Sequence, residues 1–102
     1  MSARWEKSEF IFCDLQAAAR NIHRVNPPAA KRFLIAAHDT FEFLARNPEI
    51  GRRRADLGFA EVRSWRVKGF RSHLIFYRKL PDCVQIWRVL HGARDLETEL
   101  GK

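Results

Sequence analysis

The sequence predicts an α+β domain in which a hairpin of two helices covers one face of a small antiparallel sheet. Two stretches with apolar residues every three or four positions come first, and three strand-like stretches separated by turns follow. The chain has 102 residues, enough for one modest core, so we expect a single domain over residues 1–102. Its composition, 46% hydrophobic and 30% charged, is typical of a globular domain.

The chain begins with a predicted strand and helix. Ala3 to Lys7 can form a short strand, and Ser8 can cap a helix because its hydroxyl accepts a hydrogen bond from a free backbone N–H. We therefore expect a first helix from about Ser8 to Val25. Its apolar face consists of Ile11, Leu15, Ala18, Ile22 and Val25. The opposite face carries Asp14, Arg20 and Arg24.

A second helix should follow after a very short turn. Asn26-Pro27-Pro28 ends the first helix, because proline lacks the N–H that continues the helical ladder. Proline is favoured in the first turn of a new helix, so the second one should run from about Pro28 to Arg46. Its apolar face consists of Ala30, Phe33, Leu34, Ala37, Phe41 and Leu44. Two such helices should form an antiparallel hairpin.

The second half of the chain predicts the sheet. Its strands should run from Val62 to Lys68, from Ser72 to Leu80 and from Cys83 to Leu90. Short connections predict an antiparallel meander, to which the N-terminal strand adds. A last helical turn is expected between Ala93 and Leu100.

The preceding segment, Glu49 to Phe59, is interpreted as a loop. It contains Arg52-Arg53-Arg54, for which two interpretations stay open. The three arginines could form a solvated, flexible segment, or they could form a mobile lip for an anionic ligand.

Strand alternation assigns side chains to the two faces of the sheet. On the second meander strand, Leu74, Phe76 and Leu80 share a face with Arg78, and the other face carries His73, Ile75, Tyr77 and Lys79. On the third, Val84, Ile86 and Leu90 share a face with Arg88, and the other face carries Cys83, Gln85, Trp87, Val89 and His91. Neither face is purely polar. The face away from the helices is therefore predicted to be a binding surface.

Positive charge is concentrated in the second half of the chain. Residues 1–50 hold seven cations and six acids, whereas residues 51–102 hold twelve cations and six acids. Such asymmetry predicts an anionic partner: nucleic acid, a nucleoprotein or an acidic protein. Candidate contacts on the strands are Arg63, Arg66, Lys68, Arg71, Arg78, Arg88 and Arg94. Trp65, Tyr77 and Trp87 could stack on bases or simply pack in the fold.

Motifs for catalysis, cofactors and metals are missing from the sequence. There is no glycine-rich phosphate loop, no HExxH and no metal-ligand spacing of cysteine and histidine, so we expect neither cofactor nor metal. Cys13 and Cys83 are predicted to be buried, reduced thiols. His91 could act as a general acid or base, or could hydrogen-bond the backbone at a strand end. No leader or membrane-spanning stretch is recognised, and a cytoplasmic location is expected.

A set of short motifs, in order, resembles the RelE/ParE toxin superfamily of type II toxin–antitoxin systems over roughly residues 8–96. The motifs are Asp14-Leu15; Leu44, Pro48 and Gly51; Arg66-Val67 and Phe70-Arg71; Ile75-Phe76-Tyr77-Arg78; Val84 and Ile86; and Arg88-Val89-Leu90-His91-Gly92-Ala93-Arg94-Asp95. The last motif is similar to the ParE-like branch. The resemblance implies a protein that inhibits DNA gyrase, arrests growth, stabilises plasmids and is neutralised in a hetero-oligomer by an acidic, ParD-like antitoxin.

Two alternatives to the ParE-like interpretation stay open. A RelE-like toxin would cleave mRNA on ribosomes, with Arg71, Arg88, His91 and Arg94 as the candidate catalytic residues. The tail after Asp95, LETELGK, lacks the tyrosine or histidine of that branch. The chain could also be a basic domain without toxicity that binds nucleic acid or an acidic protein. For contact with a target or antitoxin, we expect Arg63, Arg66, Lys68, Arg71, Tyr77, Arg78, Arg88, His91 and Arg94.

Overall fold

A computed structural model of the chain describes residues 4–92 and 94–100. The elements are β1 (Trp5–Lys7), α1 (Ile11–Val25), α2 (Pro27–Arg46), β2 (Arg52–Arg54), a 3₁₀ turn (Ala55–Leu57), β3 (Phe59–Val67), β4 (Phe70–Lys79), β5 (Val84–His91) and α3 (Leu96–Leu100). The strands form one sheet in the order β1-β5-β4-β3-β2. The predicted α+β fold with a helix hairpin on one face is confirmed.

The sheet differs from the prediction in two respects. It is mixed, because β1 pairs in parallel with β5, with Trp5 opposite Val84. It also has a fifth strand, since the predicted loop around the three arginines contains β2, which pairs with β3 at the sheet edge. A strand of three arginines has no alternation of apolar and polar residues to reveal it. The interpretation of this segment as solvated loop was therefore wrong for β2.

The helix boundaries follow from local hydrogen bonds. Ser8 does not cap α1, since the residue before the first helical residue is Phe10 and the Ser8 hydroxyl accepts from the Phe10 N–H, outside the helix, while donating to the carbonyl of Trp87. The helix therefore begins at Ile11. The Asn26 side chain accepts a hydrogen bond from the Ala29 N–H at 3.3 Å, so α2 begins at Pro27, one residue before the prediction. Among the described residues, no helix is long and apolar enough to cross a bilayer.

The main core lies between the helix hairpin and the sheet. Its largest fully buried side chains include Phe33, Phe41, Tyr77, Ile75 and Ile86. A second, smaller cluster on the other face is formed by Val62, Phe76, Leu90 and Leu100. The 3₁₀ turn and α3 cover this second cluster. The second face of the sheet is therefore partly closed by the chain itself.

A β-bulge at Trp87 corrects the face assignment on β5. Tyr77 pairs with Ile86 and Phe76 pairs with Arg88, so Trp87 is an extra residue. After the bulge the alternation is inverted, and Val89 joins the helix-side core while Leu90 joins the second cluster. The predicted grouping of Leu90 with Val84 and Ile86 was wrong for this reason.

The burial predictions for two helix residues and for both cysteines were also wrong. Val25, the last residue of α1, is 88% exposed, and Leu34 on α2 is 42% exposed. Cys13 is exposed on α1, and Cys83 is only partly buried. Apolar neighbours in sequence do not bury a helical residue, because successive positions point in different directions.

Candidate functional site

The predicted contact residues do not form a single group, and the first group consists of exposed cations beside α2. Arg66 and Lys68 at the end of β3 and Arg71 at the start of β4 are exposed. Together with Arg46 of α2 they line an open groove of about 690 Å³, which we call the α2–β3 groove. Three of the four residues of the predicted basic band between Arg63 and Arg71 are therefore accessible, and their role as contact residues stays a prediction.

The second group consists of Tyr77 and Arg63, which form hydrogen bonds to the segment between α2 and β2. The Tyr77 side chain is fully buried, and its hydroxyl accepts a hydrogen bond from the Gly51 N–H at 2.8 Å and donates one to the Pro48 carbonyl at 3.0 Å. Burial raises the pKa of this hydroxyl. Arg63 donates to the carbonyls of Glu49 at 3.1 Å and Gly51 at 2.8 Å. The structure thus gives Tyr77 a structural position within the core and no accessible surface.

Arg88 is the centre of the third group and is buried under α1. Its Nε and Nη2 donate to the two carboxylate oxygens of Asp14 at 2.8 and 2.9 Å, and Nη2 also reaches Glu99 at 3.2 Å. Its guanidinium lies 4.5 Å from the ring centroid of Phe10. The pKa of Arg88 is raised, first by its hydrogen bonds to Asp14. Asp14 also accepts from the Val89 N–H, so one carboxylate ties α1 to β5.

His91 forms a compact turn at the end of β5. Its backbone N–H donates to Asp95 Oδ2 at 3.0 Å, and its Nδ1 accepts from the Arg94 N–H at 3.1 Å. Arg94 is exposed, with its Nε 3.6 Å from Asp95 Oδ1. The geometry agrees with the second interpretation of His91, hydrogen bonding to backbone at the strand end.

His73 packs against this turn and was not predicted to matter. Its ring centroid is 5.2 Å from that of His91 and 5.0 Å from that of Phe33. Its Nε2 is buried without a hydrogen-bond partner within the described residues. Burial, followed by the positive charges of His91 and Arg94, lowers the pKa of His73 to about 4, although Asp95 acts in the opposite direction.

The pKa of His73 predicts acid sensitivity of the fold. The unfolded chain takes up a proton at His73 near pH 6.5, whereas the folded chain does so only near pH 4. Stability that is present above pH 6.5 should therefore be lost as the pH falls from 6.5 to 4, by about 2–3 kcal/mol. Urea unfolding at pH 7.0, 5.5 and 4.5 measures this. His73→Gln cannot titrate, so its slope in this window should be shallower; an equal slope would assign the acid sensitivity to other groups.

Arg78 and the second face of the sheet complete the predicted set. Arg78 is exposed and its Nε donates to Gln85 Oε1 at 3.0 Å. Both residues border a groove of about 440 Å³ that also contains Phe59 and Trp87, whose rings are 5.2 Å apart. The predicted contact residues are therefore distributed over at least two separate surfaces.

Arg54 is a buried arginine that sequence reasoning missed. It is 7% exposed, donates to Ser64 at 3.0 Å and to both carboxylate oxygens of Asp56, and lies 5.7 Å from the Phe76 ring centroid. Hydrogen bonding to Arg54 is the first cause that lowers the pKa of Asp56. Nothing in a run of three arginines indicates which one turns inward. Among the side chains that the structure describes, no three His, Cys, Asp or Glu form a metal-binding group.

Comparison with known protein families identifies the class of protein as a toxin of a type II toxin–antitoxin system. Residues 13–96 match the family described as the ParE toxin of the type II toxin-antitoxin system parDE, and the chain belongs to this family. This confirms the ParE-like resemblance. A sequence comparison with curated proteins gave no significant match.

A solved structure of the chromosomal ParDE toxin–antitoxin system from P. aeruginosa is similar in fold. The similarity has a TM-score of 0.71 at 17% sequence identity and covers 89% of this chain and 95% of that chain. The same layered arrangement of a helix hairpin on a sheet is thus present in both proteins. At this level of identity the similarity concerns the fold.

Proposed function

We propose that this ParE-type toxin acts by binding and inhibiting DNA gyrase in the cytoplasm, and that it does not cleave RNA itself. The observation that carries the choice is the burial of Arg88. General acid–base catalysis needs a group within hydrogen-bond reach of the substrate. Arg88 is 7% exposed and is already engaged by Asp14 and Glu99.

The other candidate catalytic residues support the same conclusion. Arg71 lines the α2–β3 groove, whereas Arg94 borders a different cavity beside Asp14 and His73. His91 uses its Nδ1 to hold its own turn. Arg71 thus lies in a different groove from the other three, and neither Arg88 nor His91 lines the cavity that Arg94 borders.

Two assays on the purified chain test this proposal. We expect loss of supercoiling of relaxed plasmid by purified gyrase, and no cleavage of mRNA on programmed ribosomes. Cleavage of mRNA together with unimpaired supercoiling would overturn the proposal in favour of the RelE-like alternative. Absence of both activities and of growth arrest would favour a basic domain without toxicity.

We also propose that an acidic, ParD-like antitoxin neutralises the chain in a hetero-oligomer. The chain has a net charge of +7, and exposed apolar side chains on the helices include Phe12, Val25 and Ile35. An acidic segment that folds on binding fits such a surface. Co-expression of the acidic product of an adjacent reading frame should restore growth. Charge reversal by Arg78→Glu with Arg94→Glu tests these exposed cations as contacts, and undiminished affinity for the antitoxin would exclude them.

A further inference from the structure

The proposed inhibition of gyrase assigns no role to the α2–β3 groove. Its volume is about 690 Å³, and its walls come from the C-terminal half of α2 and from the hairpin turn between β3 and β4. It is lined by four cations, Arg46, Arg66, Lys68 and Arg71, and by one carboxylate, Asp39. Such a concentration of positive charge in one open cleft should attract a polyanion.

The four cations of the groove are accessible to a ligand. All four side chains are exposed, and among the described side chains none of them forms an ion pair. This distinguishes them from Arg54 and Arg88, which are buried against carboxylates. A ligand in the groove would therefore not have to break an existing ion pair within the described chain.

The apolar part of the groove is aromatic. Phe43 of α2 and Trp65 of β3 are half-buried in its wall, with ring centroids 6.2 Å apart and planes inclined by 33°. The guanidinium of Arg66 lies 5.7 Å from the Trp65 ring centroid. Planar aromatic and guanidinium groups beside lysine and arginine are the surfaces on which unpaired bases stack while the backbone meets the cations.

An acidic helical segment fits the groove less well. Such a segment lays a row of apolar side chains into a hydrophobic groove, whereas Phe43 and Trp65 are the large apolar residues of this lining. No leucine, isoleucine or valine lines the α2–β3 groove. Exposed aliphatic residues lie elsewhere, as with Val25 at the end of α1. Flat aromatic walls and four cations match a single polynucleotide strand more closely than they match a peptide.

We propose that the α2–β3 groove binds a single strand of nucleic acid. Its phosphates contact Arg46, Arg66, Lys68 and Arg71, and a base packs against the Trp65–Arg66 pair. Duplex binds more weakly, because its paired and stacked bases cannot reach the aromatic wall. This binding requires neither gyrase nor an antitoxin, and it is a property beyond the proposed inhibition of gyrase.

Strand binding can be measured by fluorescence anisotropy with a labelled oligo(dT) of about 12 nucleotides and the full-length chain. Three or four phosphate contacts predict that log K falls with log [NaCl] with a slope of about −2 to −3, since each contact on a single strand contributes about −0.7. Oligo(U) of the same length separates RNA from DNA preference, and a duplex of the same length should bind at least about 10-fold more weakly. The absence of salt-dependent binding to oligo(dT) at 100 mM NaCl would overturn the proposal.

Matched variants separate groove binding from net charge. Arg66→Gln with Lys68→Gln should weaken oligo(dT) binding about 10-fold or more and reduce the salt slope by about 1.4. Arg20→Gln with Lys31→Gln removes the same charge from exposed helix positions outside the groove and should change binding less than about 3-fold. Circular dichroism confirms that both double variants fold. Equal losses in the two variants would overturn the assignment to this groove.

Tryptophan fluorescence supplies a second readout. Binding of oligo(dT) should quench indole emission, and Trp65→Phe should abolish this change while Trp87→Phe retains it. Polyglutamate is the competing polyanion. If polyglutamate displaces oligo(dT) stoichiometrically and produces the same quenching at lower concentration, the groove is a peptide site and the proposal fails. None of these assays contains gyrase, so their outcome is independent of the proposed inhibition.

Discussion

Replacing Asp14 with alanine is expected to destabilise the fold by about 3 kcal/mol or more, one of the two largest effects of a single substitution predicted for this chain. Asp14 accepts two hydrogen bonds from Arg88 and one from the Val89 N–H. The two charged side chains are only 10% and 9% exposed. Without the carboxylate, a buried guanidinium and a backbone N–H both lose their principal partner.

Thermal and urea unfolding of Asp14→Ala measure this effect. A loss of 3 kcal/mol should lower Tm by more than about 10 °C in a domain of this size. Asp14→Asn keeps an acceptor for the Val89 N–H and should lose less. A Tm within about 3 °C of the parent would show that the pair contributes as little as an exposed ion pair.

A paired replacement separates the value of the ion pair from the cost of breaking it. Asp14→Leu with Arg88→Met removes both charges and retains apolar volume, so it should be more stable than Asp14→Ala. The Val89 N–H stays unsatisfied in both variants, which limits the recovery. The same reasoning affects function: Arg88→Ala leaves Asp14 without its partner, so loss of activity in that variant would not identify a catalytic residue. Activity of Arg88 variants must be compared at matched folded fraction.

The helix hairpin and the meander could be predicted because their signals are local. Helical periodicity, the prolines at 27, 28 and 48, and short turns are all readable over a few residues. β2 escaped prediction because three arginines carry no alternation. The bulge at Trp87 escaped because its register depends on the partner strand, where Phe76 faces Arg88 and Tyr77 faces Ile86. One extra residue inverts the faces of everything beyond it.

For the candidate site, too, local features could be predicted and features that depend on distant residues could not. Arg66, Lys68 and Arg71 are exposed, which is the default for that residue type, and their role as contacts stays a prediction. Arg88 and Tyr77 were expected to be contact residues, but polar groups can be buried when distant partners satisfy them. Asp14 lies 74 positions before Arg88 in the sequence, and Pro48 lies 29 before Tyr77. Contacts between residues so far apart in the chain produce no periodic pattern in a single sequence.

Gly51→Ala is the second substitution for which we expect a large effect, a loss of about 2–4 kcal/mol. The cause is a close approach and not an unusual backbone angle, since Gly51 has no positive φ. A Cβ at this position would overlap the Tyr77 hydroxyl and would lie 2.9 Å from the Ser64 carbonyl oxygen. Tyr77 is fully buried and the Ser64 oxygen belongs to the backbone of β3, so neither can move aside freely.

The expected damage extends to the hydrogen bonds that close the segment between α2 and β2. Displacing the Tyr77 hydroxyl weakens its bonds to the Gly51 N–H and the Pro48 carbonyl. Tyr77→Phe removes the same bonds without adding volume and should cost about 1–3 kcal/mol. Combining Tyr77→Phe with Gly51→Ala relieves part of the overlap, so the two losses should be less than additive. Urea unfolding of the two single variants and the double variant measures this coupling, and strictly additive losses would show that the added methyl group does not meet the Tyr77 hydroxyl.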